Sequence, residues 1–439
     1  MTDQHRITSS ASRPPVRALP ALTSLRFPAA LAILIHHCNG VFWPTAELGP
    51  LDAGVSFFFV LSGYILTHVY GCSVADRAAL RRFHLARIAR IWPLHIACLI
   101  ATMLLLAVPE PFRAGALAGN ALLLHAWIPF DRYFFSYNYV SWSISTELFF
   151  YIAFPWLVRR SRAALVAWLC VALSTVAMLV LVSYEDALPS WNTAYDRLSS
   201  TGLLYTNPLA RIAEFMLGIV AARFAGRKEA GPANASSIAP AASAASITGS
   251  VTVSVLASTA TVAWRWTLFE IAAIAWFIVG FGTFRISAAF FTREVATFAG
   301  AIGIPAVAGA LPGQAVAAIG TEWLGHVGLA PFAMILILVF AQQRGRLSQW
   351  LSHRWLVFLG EASFALYLVH QIGLRLLQQQ GLAPLPATEL HLVEFAGYLG
   401  AMLVAAALLH VLVERPARRW IVRRTNPVVA VAVEVKRAA

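Results

Sequence analysis

Arg26 and His37 lie 11 residues apart in an otherwise apolar stretch and carry the first chemical signal in this chain. On an α-helix, at about 100° per residue, they share one face within ~20° and sit ~16 Å apart along the axis. An imidazole titrates near neutral pH and suits general base work. A guanidinium suits an anion or an acyl carbonyl oxygen. Together they resemble half of an acyl-transfer site. The pair fits equally a snorkelling arginine at a helix start and a histidine bonded to a neighbouring helix. His36 points ~100° away from His37. Cys38 adjoins His37, but consecutive helical residues do not face each other, which argues against a Cys–His dyad.

Further ionisable residues interrupt later apolar blocks. Glu147 closes Ser141-Trp142-Ser143-Ile144-Ser145-Thr146-Glu147. At such depth a carboxylate is neutral or paired with Arg or His. Arg211 and Glu214 are spaced i,i+3 and read as a structural ion pair. Tyr367 and His370 share that spacing, and His125 sits in a short apolar piece. Both histidines read more readily as satisfied structural groups than as catalysts. Ahead of the third apolar block runs Arg81-Arg82-Phe83-His84-Leu85-Ala86-Arg87-Ile88-Ala89-Arg90-Ile91-Trp92-Pro93. Such a cluster is ordinary cytoplasmic charge in contact with headgroups. Arg87 and Arg90, i,i+3 beside the bilayer, also suit the phosphates of a nucleotide-like donor. No Walker loop, GxGxxG, GxSxG or HExxH occurs, which weakens NTPase, dinucleotide, serine hydrolase and zinc hydrolase readings.

The elements that must position these groups are membrane helices. Of 439 residues, 59% are hydrophobic and only 12% charged, with a mean hydropathy of +0.69. A soluble domain carries roughly 25% charged residues. An all-α, polytopic integral membrane protein of about ten helices in one bundle follows. Spans are read at 24–43, 53–70, 90–108, 140–158, 163–183, 203–224, 265–283, 325–341, 355–378 and 395–413. The net charge of +13 is mostly arginine at block ends, a membrane pattern rather than a nucleic-acid one. Arginines in 1–21, 71–89, 342–354 and 415–424 place those segments and both termini in the cytoplasm. Residues 116–128 are apolar but short, and 116–135 is read as a re-entrant or interfacial piece, since a span there would carry Arg159, Arg160 and Arg162 outside. Residues 226–250, rich in Ala, Ser and Gly, read as a flexible cytoplasmic insert, and 248–262 and 296–319 as marginal spans. The expected organisation is a tail at 1–21, a membrane domain at 22–424 and a tail at 425–439. Cys38, Cys72, Cys98 and Cys170 form no CxxC, and neither a metal site nor a disulfide framework is indicated.

These pieces, in this order, resemble the acyltransferase family 3 integral membrane proteins. The stretch from Leu25-Arg26 to His37 looks like that family's Arg, ten residues, His motif. Gly54-Val55-Ser56-Phe57-Phe58 through Ser62-Gly63-Tyr64 is similar to its glycine, paired aromatics and Ser-Gly pattern. Phe83 to Pro93 resembles its Arg-rich segment. Trp142-Ser143, Glu147, Phe150-Tyr151 and Pro155 look like its next motif, followed by Arg211, Glu214, Phe215 and Gly218. Leu359-Gly360, Ser363, Leu366-Tyr367-Leu368 and His370 are similar to its late motif, and Glu414-Arg415-Pro416 to its closing one. The similarity runs over about residues 22–424. Many members carry Asp where Ser56 stands, and some carry a fused esterase-like domain; this chain looks like a stand-alone member.

The resemblance implies transfer of an acyl group, acetyl by default, from acyl-CoA (commonly acetyl-CoA) to a hydroxyl of a carbohydrate or glycosylated acceptor. It places the chain in the bacterial cytoplasmic (inner) membrane. By motif position His37 is the base, Arg26 its essential companion and Glu147 a further site residue. Arg87 and Arg90 would help bind the donor or hold the cytoplasmic mouth, while Ser56, Ser62, Tyr64, Trp142, Tyr367 and His370 would line the site. The competing expectation is a carrier of a small or lipid-linked molecule without chemistry, since charged groups inside spans also mark transporters. Transporters often show internal repeats, and none is evident.

Overall fold

A computed structural model of the chain describes residues 17–45, 48–71, 74, 76–106, 114–185, 188–189, 198–229, 262–283, 327–383 and 391–425. The described residues are helical, with one isolated bridge between Phe130 and Leu198. Each of the ten stretches read as spans contains helix among its described residues. Among the described residues, seven helical segments are long and apolar enough to cross a membrane. Trp142–Leu157, Pro208–Glu229 and Ala330–Phe340 are helices too, but shorter or more charged. Large apolar side chains face outward, Leu104 at 78% and Val393 at 82% exposure, as lipid contact requires. The insert 226–250 falls almost wholly, and the marginal spans 248–262 and 296–319 almost or entirely, outside the described residues.

The first span is two helices, α1 (Pro20–Ser24) and α2 (Arg26–Cys38). Pro28 has no N–H to offer the Ser24 carbonyl, so the ladder breaks at Leu25. The Ser24 hydroxyl donates to the Leu351 carbonyl at 2.5 Å, anchoring the break. Next come α3 (Gly54–Tyr70) and α4 (Arg77–Leu105). The sequence places the cluster Arg81 to Arg90 in a loop; it forms the first turns of α4 instead. Asp76 accepts the Ala79 N–H at 2.6 Å as an N-cap, and no Gly or Pro intervenes before Pro93. The piece 116–135 is broken into α5 (Ala114–Ala121), a turn at His125–Trp127 and α6 (Asp131–Phe134).

Then follow α7 (Trp142–Leu157), α8 (Arg162–Glu185), α9 (Pro208–Glu229), α10 (Val262–Thr283), α11 (Ala330–Phe340), α12 (Arg346–Leu351) and α13 (Arg354–Gln379). The last helix runs from α14 (Leu392–Leu409) through a π turn at His410–Glu414 into α15 (Arg415–Thr425).

Two glycines set a close crossing. A Cβ on Gly63 would lie 2.0 Å from the Phe215 carbonyl oxygen, and one on Gly218 would lie 2.0 Å from that of Val60. Helices α3 and α9 therefore touch backbone to backbone, the contact small residues permit in membranes. Phe59 and Phe215 flank Phe150 at ring distances of 5.0 and 4.8 Å, tying α7 to the same pair. Glu270 of α10 accepts the Gly345 and Leu347 N–H groups, each at 3.1 Å, and so caps α12.

Candidate active site

Helices α2, α3, α4, α7 and α13 line a cavity of about 140 Å³. Arg26 enters it from α2, Ser62 from α3, Arg87 and Arg90 from α4, Glu147 and Tyr151 from α7, and Tyr367 from α13. The Arg26 guanidinium rests 5.8 Å from the Phe58 ring centroid and has no hydrogen-bond or ion-pair partner among the described residues. Arg87 donates to the Tyr70 hydroxyl at 3.1 Å, and no described carboxylate neutralises it. Arg90 differs, being ion-paired with the buried Glu414 of the π turn. The Glu147 Oε1 accepts from Tyr151 at 2.6 Å and from Ser62 at 3.2 Å, leaving Oε2 without a described partner. Two unpaired arginines thus share a small cavity with one carboxylate, a positive balance suited to an anion.

His37 is not in that cavity. It lies near the far end of α2, where its Nδ1 meets the Ile33 carbonyl at 2.9 Å and the His370 Nε2 at 3.2 Å. The His370 Nδ1 meets the Leu366 carbonyl at 3.2 Å. Carbonyls only accept, so in the neutral pair both Nδ1 atoms carry hydrogen. The His370 Nε2 then presents a lone pair to the His37 N–H. This leaves the His37 Nε2 lone pair unengaged among the described residues on a half-buried ring. Bases are held in this state, with the second nitrogen fixed by acceptors that also stabilise the imidazolium. Tyr367 lines the cavity, and its ring lies 6.0 Å from that of His370.

Four residues expected to line the site, Ser56, Tyr64, Trp142 and His370, do not line this cavity; His370 meets His37 instead. The Ser56 hydroxyl accepts from Arg211 Nη2 at 3.1 Å. Arg211 is fully buried and bidentate on Glu214 at 2.6 and 3.1 Å, its guanidinium 5.6 Å from the Trp142 ring. Ser56 and Trp142 therefore serve the structural ion pair read from the sequence. Tyr64 stacks with His68 at 6.4 Å and packs in the apolar cluster containing α11. His125 has a structural post, its Nε2 3.1 Å from the Ser141 hydroxyl and its Nδ1 3.3 Å from the Gly119 carbonyl. It fastens the broken segment to the start of α7.

Sequence reasoning missed two groups. Tyr151 sits one helical turn from Glu147, and the i,i+4 spacing was the available signal. Glu414, the partner of Arg90, was visible as part of Glu414-Arg415-Pro416, but nothing in the sequence tied it to α4.

A family model described as an acyltransferase domain matches residues 19–294 and 291–411. The chain is 31% identical over 228 residues to acyltransferase MdmB of Streptomyces mycarofaciens, covering 48% of this chain and 58% of that protein. It is 28% identical to the putative peptidoglycan O-acetyltransferase YrhL of Bacillus subtilis (strain 168), over 38% of this chain and 29% of that one. It is 25% identical to O-acetyltransferase OatA of Staphylococcus aureus, over 38% and 30% respectively. The match thus spans little more than half the length of the first relative and under a third of the other two. No solved structure matches. With the family model covering most of the chain, this polytopic helical protein belongs to the acyltransferase family 3.

Proposed function

We propose that the protein is a membrane O-acyltransferase that moves an acyl group, acetyl by default, from acyl-CoA to a hydroxyl of a carbohydrate or glycosylated acceptor. The bacterial cytoplasmic membrane is the proposed location. One observation carries this reading: unpaired Arg26 and Arg87 face a cavity at one end of α2, and His37 bears a bare Nε2 at the other. The arginines suit the phosphates of a coenzyme A donor. The ~16 Å along α2 suits the extended arm that links those phosphates to the thioester. At that separation Arg26 cannot reach the acyl carbonyl, so its role is donor binding. Two relatives named as O-acetyltransferases support the acyl group and the oxygen acceptor.

In the reaction, the His37 Nε2 takes the proton of the acceptor hydroxyl as its oxygen attacks the thioester carbonyl. The C–O bond forms, the tetrahedral intermediate collapses, and the C–S bond breaks. The departing sulfur takes up a proton, restoring neutral His37. Meanwhile the imidazolium is stabilised through its Nδ1–H by the Ile33 carbonyl and the His370 lone pair. Glu147, held by Tyr151 and Ser62, orients cationic or hydroxyl groups in the cavity.

Purified protein in micelles, given acetyl-labelled acetyl-CoA and a mixture of cell-envelope glycans, tests the reading. Label should appear in the glycan and fall 10²–10⁴-fold on His37→Ala, as loss of a general base does. A carrier would transfer no label. Near-parental transfer by His37→Ala would remove the histidine from the chemistry.

A further inference from the structure

Away from the cavity, α7, α8 and α9 leave an apolar groove of about 350 Å³ open to the outside. Phe149, Trp156, Trp168, Val171, Thr175 and Ile212 are among its walls. Thr175 has the one hydroxyl there, and it is already bonded to the Val171 carbonyl at 2.9 Å. From Trp168 to Thr175 the groove follows α8 for ~10 Å, towards the middle of the membrane.

The mouth of the groove has different chemistry. Trp156 and Trp168 meet edge to face at 4.6 Å and are about 40% exposed. Neither indole N–H has an acceptor among the described residues. The Arg160 guanidinium lies 4.2 Å from the Trp156 ring centroid, and that of Arg162 5.9 Å from the Phe224 ring. Arg223 reaches the same turn, donating to the Arg160 carbonyl at 2.6 Å and to the Val158 carbonyl. No described carboxylate pairs with Arg160, Arg162 or Arg223. Tryptophans and arginines above an apolar channel mark the headgroup level of a bilayer. Uncompensated positive charge there attracts anionic lipid.

We infer that this groove is a binding site for one anionic glycerophospholipid. One acyl chain lies along Val171 and Thr175, the ester carbonyls accept from the two indoles, and the phosphate meets Arg160 and Arg162. A free phosphate leaves the apolar groove empty, and a zwitterionic lipid leaves the guanidinium charge uncompensated.

Native mass spectrometry of the full chain in lipid-free micelles tests the assignment, with phosphatidylglycerol and phosphatidylcholine of identical chains as probes. At about 1 kcal/mol for each arginine near the surface, the anionic lipid should bind roughly 30-fold more tightly. Arg160→Gln with Arg162→Gln should erase the preference without altering thermal stability. Thr175→Phe, which fills the groove, should weaken both lipids alike. Equal binding of the two lipids to the unaltered protein overturns the inference. So does a preference that survives the double substitution, or a second copy of the chain occupying the groove in place of lipid.

Discussion

His370 offers the most quantitative test of the histidine geometry. In the proposed reaction, positive charge develops on His37 and is shared by two acceptors on Nδ1, the Ile33 carbonyl at 2.9 Å and the His370 Nε2 at 3.2 Å. His370→Ala removes one of them and leaves the shorter bond. A hydrogen bond to a charged group contributes about 1.5–3 kcal/mol. The longer, shared bond belongs at the low end, so about 1.5 kcal/mol of transition-state stabilisation is lost. That corresponds to a drop of roughly tenfold in kcat. His37→Ala should cost at least ~100-fold. Because His370 acts only through His37, the double variant should be no slower than His37→Ala alone, a non-additivity expected of residues working as one unit. Single-turnover transfer of labelled acetyl groups at saturating donor measures all three. A His370→Ala loss as deep as that of His37→Ala, or additive losses in the double variant, would refute the arrangement and make His370 a direct participant.

Arg26→Lys keeps charge but not the planar fork, so KM for acyl-CoA should rise about tenfold while kcat changes less, as steady-state kinetics will report. Glu214→Gln leaves the Arg211 charge buried without its partner, a loss of about 3–5 kcal/mol that should appear as a marked fall in melting temperature in micelles. Gly218→Leu drives a side chain into the Val60 carbonyl; the protein should fail to accumulate in membranes, as quantitative immunoblotting of membrane fractions would show.

Much of the architecture was written in one dimension. Apolar blocks about 20 residues long must be helices in a bilayer, because hydrocarbon offers their peptide groups no other partners. Expensive charges within such blocks mark their own importance, and Arg26, His37, Glu147 and Arg211 stood out for that reason alone. The rise of 1.5 Å per residue even fixed the separation of Arg26 from His37. Local patterns faltered where a boundary depended on a cap. The cluster from Arg81 to Arg90 reads as loop by charge, yet Asp76 starts the helix ahead of it.

Only the tertiary structure decided which groups meet. Arg26 and Glu147 face one cavity because α2 and α7 converge there, whereas His37 on the same helix finds His370, 333 residues away. Ser56 was drawn away from the site by Arg211, while Arg90 stays at the cavity but is neutralised by Glu414. The sequence by itself determined the membrane helices, the rare polar residues and the face of α2 on which two of them lie. Periodicity and desolvation cost act within a single helix and need no neighbour. Partner choice depends on the close approach of helices distant along the chain, as where Gly63 and Gly218 bring two backbones into contact. No local spacing encodes that meeting, so the tautomer of His37 and the unpaired state of Arg26 emerged only from the folded bundle.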